Sequence, residues 1–268
     1  MNFTDAVDAV SRKNDSLLCV GLDPDPARFS DHLHGQRDAI FQFNRAIIDA
    51  TADLVCAYKP QIAFYAAAEA EHQLQLTIDY IHTTYQIPVI LDAKRGDIGS
   101  TAAMYAREVF DRYQADAVTI NPYLGLDSMQ PFLDYRQKGV VILCRTSNPG
   151  GAELQNLIVD EGRTLYEEVA HRTCNQWNYN NNVLLVVGAT QPAELARIRA
   201  IVGEMTLLLP GVGTQGADLP RMMDSARGGG LIVTSSRAIL YAGTDEQFAC
   251  DAREAALQLR DQINELRS

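Results

Sequence analysis

The sequence has no long apolar run, no closely spaced cysteine pair and no excess of positive charge. No stretch approaches the about 18 consecutive apolar residues of a membrane-spanning helix, so we expect no transmembrane segment. The five cysteines are widely spaced and include no CxxC pair, which argues against a disulfide framework or a zinc site and favours a reducing cytoplasm. The first fifteen residues read as an acidic amphipathic helix without a hydrophobic signal core.

The charge balance narrows the class of ligand. A formal net charge of −11 argues against nucleic-acid binding, which requires a basic surface. A small anionic ligand remains compatible with this charge if cations are concentrated locally. With 268 residues and 47% hydrophobic composition, the chain is long enough to bury a large core.

Eight short apolar runs recur along the chain, and helical patterns lie between them. The runs are rich in Val, Ile and Leu and do not alternate with polar residues, as is typical of strands covered on both faces. They occupy 16–23, 54–60, 87–94, 115–122, 139–147, 182–189, 205–213 and 230–236. The alternation predicts a parallel (β/α)8 TIM barrel, and the absence of a linker predicts one domain over 1–268. An open doubly wound sheet is the alternative, but no GxGxxG turn follows the first run.

Polar residues and glycines end nearly every one of these runs. In a barrel the carboxyl ends of the strands carry the active site, so these positions are candidates for function. They are Asp23, Lys59, Asp92, Lys94, Asn121, Arg145–Ser147, Gly211, Gly213 and Ser235–Arg237. The segment 146–162 is the longest irregular piece, and we consider it as a loop over the barrel mouth.

The stretch LDAKRGDIGST, residues 91–101, carries the densest group of ions. Alternate residues of a strand share one face, so Asp92 and Lys94 should both point into the mouth, with Asp97 just beyond the strand and Lys59 on the neighbouring strand. A lysine between carboxylates is held in place and kept protonated, as a proton donor requires. The alternative is a salt-bridge network that closes the barrel, but buried ion pairs are poor stabilisers.

Two segments near the end of the chain predict a phosphate site. PGVGTQG (210–216) follows the seventh run and TSSRAIL (234–240) follows the eighth, the two loops that commonly bind phosphate in barrels. Gly211 and Gly213 permit close backbone approach, Gln215 offers an amide donor, and Arg237 supplies a bidentate cation. Tight turns are the alternative explanation for the glycines alone.

These residues resemble a known family. DAKRGDIGST is similar to the DxKxxDI–T signature of orotidine 5′-phosphate decarboxylases, and Asp23, Lys59 and GVGTQG fall in family order. The resemblance covers essentially the whole chain, and INPYLG (120–125) and TSNPG (146–150) look like the longer bacterial subgroup. It implies decarboxylation of orotidine 5′-monophosphate at C6 to give UMP, without metal or organic cofactor. It also implies that Lys94 protonates C6, Asp92 lies by the departing carboxylate, and Lys59 and Asp97 complete the charged array.

The resemblance further implies a homodimer with shared active sites, in which Asp97, Ile98 and Thr101 reach the neighbouring subunit's site. Asp23 would bind a ribose hydroxyl and Ser147 the pyrimidine edge. Many family members have glycine where Ser236 precedes Arg237, so the loop amide that faces phosphate stays open, and the serine hydroxyl is a substitute donor.

Three other functions fit parts of the pattern. A magnesium-dependent sugar-phosphate decarboxylase shares the DxKxxD spacing. A Schiff-base aldolase would use Lys59 or Lys94, although flanking carboxylates oppose the lowered lysine pKa that imine formation needs. A barrel that binds a nucleotide phosphate without catalysis is the non-enzymatic alternative.

Overall fold

The computed structural model describes residues 2–160, 162–212 and 218–267. Within these ranges eight parallel strands form one sheet in the order β2-β1-β8-β7-β6-β5-β4-β3. The strands are β1 (Leu18–Leu22), β2 (Ala57–Pro60), β3 (Ile90–Arg95), β4 (Ala117–Ile120), β5 (Gly139–Arg145), β6 (Val183–Val187), β7 (Leu207–Pro210) and β8 (Leu231–Ser235). Bridges from Tyr58 to Val89 and from Gln61 to Asp92 join the two edge strands, so the sheet closes into a barrel. The predicted TIM-barrel fold is confirmed, and each predicted run coincides with one strand, although β3 extends one residue beyond its run.

Helices cover the outside of the barrel. They are α1 (Phe3–Asn14), α2 (Ala39–Thr51), α3 (Ile62–Ala67), α4 (Glu71–Tyr80), α5 (Gly99–Arg107), α6 (Leu126–Leu133), α7 (Gly151–Gln155), α8 (Leu165–Arg172), α9 (Pro192–Val202), α10 (Leu219–Ala226), α11 (Arg237–Leu240) and α12 (Phe248–Arg267). The described part of the chain therefore has more helices than the eight of the simple repeat, because α1 precedes β1 and several connections contain an additional short helix. The segment 146–162 is less irregular than its sequence indicates, since it contains α7.

The hydrophobic core has two layers. Between the strands and the helices lies the larger cluster, which includes the buried rings of Tyr58, Tyr65 and Trp177. A smaller cluster fills the barrel interior with inward-facing side chains, among them Cys19, Ala57, Ile90, Ala117, Val141, Leu184, Leu208 and Ile232. All five cysteines are free thiols. Among the helices of the described ranges, none combines the length and the hydropathy needed to cross a bilayer.

Helix α1 seals the amino-terminal end of the barrel. Its Phe3 and Val7 side chains are buried within the interior cluster. Gly139, at the start of β5, has no room for a side chain, because a Cβ there would overlap the Phe3 ring. The barrel floor is therefore filled by apolar groups, and a ligand has to enter at the carboxyl ends of the strands.

Candidate active site

The inner face of the barrel changes from apolar to polar towards the carboxyl ends of the strands. Because alternate residues of a strand share a face, the inward-facing row continues from the apolar layer into polar side chains two or four residues later. We call these side chains the polar layer; they are Asp23, Lys59, Asp92, Thr119 and Thr234. All of them except Asp23 are buried. Buried polar groups in this number indicate a site rather than a core.

Asp92 lies at the centre of the polar layer. Its Oδ2 is 3.0 Å from Lys59 Nζ, and its Oδ1 is 2.7 Å from Lys94 Nζ. The Thr119 hydroxyl donates a hydrogen bond of 2.8 Å to the same Oδ1. The predicted proximity of Lys59, Asp92 and Lys94 is therefore present in the structure.

Burial and charge act in opposite directions on this group. Burial by itself would raise the pKa of Asp92, but the ammonium groups of Lys59 and Lys94 hold that pKa well below its usual range. Burial would likewise lower the pKa of Lys59, yet the negative charges of Asp92 and Asp23 raise it above its usual value. Asp92 and Lys59 are consequently both charged at neutral pH.

The backbone at Lys94 departs from a regular strand. Lys94 has a φ of +45°, in the left-handed region that residues with a Cβ seldom adopt. The β3–β4 register shifts between Leu91 and Arg95, so β3 bulges at this point. The amides of Ala93 and Lys94 donate to the Thr119 hydroxyl at 3.0 and 2.9 Å. Lys94 contacts Asp92, as the sequence predicts, but it does so through a bulge that strand alternation does not predict. The Lys94 side chain stays 47% exposed.

Arg95, the residue after Lys94, contacts α5 and the turn that follows it instead of the Asp92 cluster. Arg95 donates to both carboxylate oxygens of Glu108, and its guanidinium lies 4.6 Å from the centre of the Tyr105 ring. Arg95 therefore fixes α5 and the π-helical turn that continues it (Glu108–Arg112) onto the barrel, and it lies outside the Asp92 cluster.

Asp97, Ile98 and Thr101 lie at the start of α5, apart from the cluster in a single chain. The Asp97 carboxylate accepts a hydrogen bond from the Ile98 amide. Asp97 forms no ion pair with any residue that the structure describes. Ile98 is 60% exposed and Thr101 is exposed as well. Asp97 is thus partly exposed and the other two residues are exposed, and among the described residues of one chain no hydrogen bond or ion pair joins them to Lys94.

Asp23 and Ser236 meet at the β1–β8 side of the mouth. A Cβ on Gly21 would overlap the Ser236 hydroxyl and lie 3.6 Å from Asp23 Oδ1. Asp23 Oδ1 is buried and has no hydrogen-bond partner within the described ranges. Tyr241 donates to the Asp23 carbonyl at 3.0 Å, which anchors the backbone there. This carboxylate oxygen is free to accept a bond from a ligand hydroxyl.

Ser147 is held against the end of β6 by its neighbours. A Cβ on Gly188 would come within 2.9 Å of Ser147 backbone atoms, so the loop packs directly on that glycine. Gln155 Oε1 accepts from the Thr146 amide at 3.0 Å and from Arg145 at 3.1 Å. The sequence marks Arg145 as a strand-end candidate but gives no signal for Gln155, because the contact between the strand end and α7 is not visible in the spacing.

The phosphate-site prediction is only partly covered by the described ranges. Gly211 has a φ of +104°, a conformation that favours glycine. The Ser235 hydroxyl donates to the Val212 carbonyl at 3.1 Å, which ties the loops after β7 and β8 together. Arg237 is exposed, and no acidic side chain of the described residues pairs with it. Gly213 and Gln215 lie outside the described residues.

Asn121, another strand-end candidate, has a structural role. Asn121 caps the turn after β4 by accepting from the Tyr123 amide at 3.0 Å. Across residues 2–160, 162–212 and 218–267, no three His, Cys, Asp or Glu side chains are grouped so as to hold a metal ion.

Comparisons with known proteins agree with the pattern. Residues 16–252 match the family model described as the orotidine 5′-phosphate decarboxylase/HUMPS family. The chain is 60% identical to the orotidine 5′-phosphate decarboxylase of Azoarcus sp. strain BH72, with all of both chains covered. It is 59% identical to that of Dechloromonas aromatica strain RCB, over 98% of this chain and 99% of the relative. The structure of Leishmania donovani OMP decarboxylase superposes with a TM-score of 0.86 at 40% identity, covering 100% and 99% of the two chains.

Proposed function

We propose that this chain, which belongs to the orotidine 5′-phosphate decarboxylase family, converts orotidine 5′-monophosphate to UMP and CO₂. The observation that carries the proposal is the Lys94 ammonium, 2.7 Å from the buried Asp92 carboxylate and open to the barrel mouth. Loss of CO₂ leaves a carbanion at C6 with no adjacent group to delocalise it. A charged donor already in place at that carbon is what such an intermediate needs.

Lys94 stabilises the developing anion and then protonates C6. Its position is set by Asp92 and by the bulged backbone, so little reorganisation is needed during the reaction. Removal of one preorganised donor of this kind typically raises a barrier by about 3–4 kcal/mol. Lys59 keeps Asp92 ionised and in place beneath it.

Asp92 has a second effect on the substrate. Its negative charge faces the carboxylate that leaves, and at an effective dielectric constant near 20 two like charges about 4 Å apart repel by about 4 kcal/mol. This repulsion disappears as neutral CO₂ departs, which favours the transition state over the bound substrate.

The remaining predicted residues bind the nucleotide. We assign the ribose hydroxyl to Asp23, supported by the unpaired buried Oδ1, and the pyrimidine edge to Ser147. We assign the phosphate to Arg237 with Gly211 and Ser236, together with Gly213 and Gln215. The exposed guanidinium of Arg237, which no described acid neutralises, supports the phosphate assignment.

We further propose a homodimer that acts in the cytoplasm and shares its active sites between subunits. Exposed apolar side chains near α5 and α6 support the interface; they are Ile98, Met104, Tyr123, Leu124 and Leu126. Asp97, Ile98 and Thr101 would enter the neighbouring site from the start of α5. The free thiols support the reducing compartment.

The direct test follows the loss of orotate absorbance with orotidine 5′-monophosphate in the presence of EDTA. We expect turnover by the wild type and near-complete loss in Lys94→Ala, with UMP binding retained. The matched control is Lys138→Ala, since Lys138 also pairs with an aspartate, Asp116 at 3.5 Å, but lies outside the mouth. It should turn over as the wild type does.

Other outcomes of the same experiment would point to other functions. Activity that is lost on chelation and restored by Mg²⁺ would indicate a magnesium-dependent sugar-phosphate decarboxylase. Covalent trapping by borohydride would indicate a Schiff base on lysine. Tight UMP binding without CO₂ release would indicate a non-catalytic barrel, and full turnover by Lys94→Ala would exclude the proposed proton donor.

A further inference from the structure

Thr119 uses all of its hydrogen-bonding capacity on the catalytic segment. It lies on β4 and is 1% exposed. Its hydroxyl accepts from the amides of Ala93 and Lys94 and donates to Asp92 Oδ1 at 2.8 Å. A hydroxyl has one donor and two acceptor positions, so all three are occupied. The directions are fixed by the partners, since amides only donate and an ionised carboxylate only accepts.

These bonds replace main-chain bonds that β3 loses at its bulge. Leu91 pairs with Val118 and Arg95 pairs with Ile120, so the four-residue advance on β3 faces a two-residue advance on β4. The extra residues cannot continue the regular pattern of sheet bonds, and buried amides without partners are costly. The Thr119 side chain supplies the acceptor for both of them.

The bulge also sets the conformation of Lys94. At a φ of +45° the residue is in a region disfavoured for side chains with a Cβ, so surrounding contacts have to hold it there. The amide bond to Thr119 is one such contact, and the Lys94–Asp92 ion pair is another. One hydroxyl therefore connects the backbone of the proposed proton donor with the carboxylate that orients its ammonium group.

We propose that Thr119 is a positioning residue for the reaction, acting through Lys94 and Asp92 rather than on the substrate. The inference rests on the proposed function, because it assigns Thr119 a part in that same chemistry. The positioning role would distinguish Thr119 from a threonine that serves only to form a strand. The groups assigned to ribose, pyrimidine and phosphate lie on other strands, so loss of the hydroxyl should slow the chemical step and leave nucleotide binding unchanged.

The test compares Thr119→Val with Thr119→Ser. Valine has nearly the shape of threonine but no hydroxyl, whereas serine keeps it. We expect kcat of Thr119→Val to fall about 10- to 100-fold, as expected for lost hydrogen bonds to a charged group and to buried amides, with KM within about 3-fold. Thr119→Ser should restore kcat to within about 3-fold of the wild type. The affinity for UMP, measured by calorimetry, should match the wild type in both variants.

A matched control separates positioning from general destabilisation. Thr51 is also a buried threonine, but its hydroxyl bonds to the Ile47 carbonyl and to Tyr58 and not to Asp92 or to the bulge of β3. Thr51→Val should lower thermal stability without lowering kcat. Thr119→Ala, which brings no methyl group against Asp92, serves as the second variant and should be as slow as Thr119→Val.

The result that overturns the inference is a wild-type kcat in either Thr119→Val or Thr119→Ala. An equal loss of kcat in Thr119→Ser would do the same, as would an equal loss in Thr51→Val. A wild-type chain without decarboxylase activity would instead remove the proposed function itself, which is a separate outcome.

Discussion

Replacing Asp92 with asparagine tests how strongly the buried charge of Lys59 depends on its counterion. The change removes the negative charge between Lys59 and Lys94 and leaves Lys59, whose side chain is 6% exposed, without its closest counterion. Removal of one partner from a buried ion pair typically costs about 3–5 kcal/mol. The charge of Asp23 also acts on Lys59 and remains, and asparagine can still accept from Thr119. We therefore expect the free energy of unfolding to fall by about 3 kcal/mol at pH 7, the lower end of that range.

The dependence on pH identifies Lys59 as the source of the loss. In the wild type the pKa of Lys59 is raised, so its contribution is present below the usual 10.5 and is lost only as the pH rises above it. In Asp92→Asn burial should prevail and lower that pKa. Between the lowered pKa and 10.5 the unfolded chain then binds more protons than the folded chain, so stability rises with pH. The deficit of the variant should shrink between about pH 7 and pH 10.

Urea unfolding at fixed protein concentration provides the measurement. The sequence has one tryptophan, and Trp177 is buried, so its fluorescence reports the loss of native packing. The matched control is Asp116→Asn, whose carboxylate is half-buried and pairs with the partly exposed His82 and Lys138. It should cost about 1 kcal/mol, with no recovery at alkaline pH. A loss in Asp92→Asn no larger than in this control, or one that does not change with pH, would refute the reasoning.

Three further predictions concern other parts of the site. Arg237→Ala should lower kcat/KM by about 100-fold through loss of charged hydrogen bonds to phosphate, and added phosphite should partly restore turnover of a substrate truncated at the phosphate. The control Arg221→Ala removes an exposed arginine paired with an aspartate and should have no effect; failure of phosphite rescue would contradict the phosphate assignment. If the proposed homodimer forms, Ile98→Glu should shift it towards monomer in analytical ultracentrifugation and lower turnover, whereas Leu154→Glu, at an equally exposed position, should leave the sedimentation unchanged. Gln155→Ala frees the Thr146 amide, so KM should rise about 3- to 10-fold with kcat nearly constant; an unchanged KM would show that this side chain does not position the loop.

Much of the fold is evident from the sequence because parallel strands covered on both faces leave uninterrupted apolar runs. The inward row of each strand also fixes which polar residues reach the mouth, so Lys59 and Asp92 are predictable as neighbours. The order of the strands around the barrel then places these two side chains on adjacent strands, β2 and β3. Periodicity and strand order together account for this part of the site.

The remaining details depend on contacts between distant segments. A threonine in an apolar strand reads as a strand former, so the bonds from Thr119 to the β3 bulge have no local signal. The left-handed backbone at Lys94 has none either, since no glycine or asparagine marks it. Asn121, one of the strand-end candidates, caps a turn in the structure, and the ring of Trp177 is buried. Asp97 stays a prediction, because its assigned partner belongs to a second copy of the chain.

The burial of Phe3 at the amino-terminal end of the barrel determines where ligands enter and leave. Because this end of the barrel is closed, the nucleotide and the CO₂ released from it share one opening, at the carboxyl ends of the strands. The CO₂ therefore has to leave past the bound pyrimidine. A purification tag fused before α1 would lie at the amino-terminal end of the barrel, away from this opening. That end is therefore the suitable place for a tag in kinetic work.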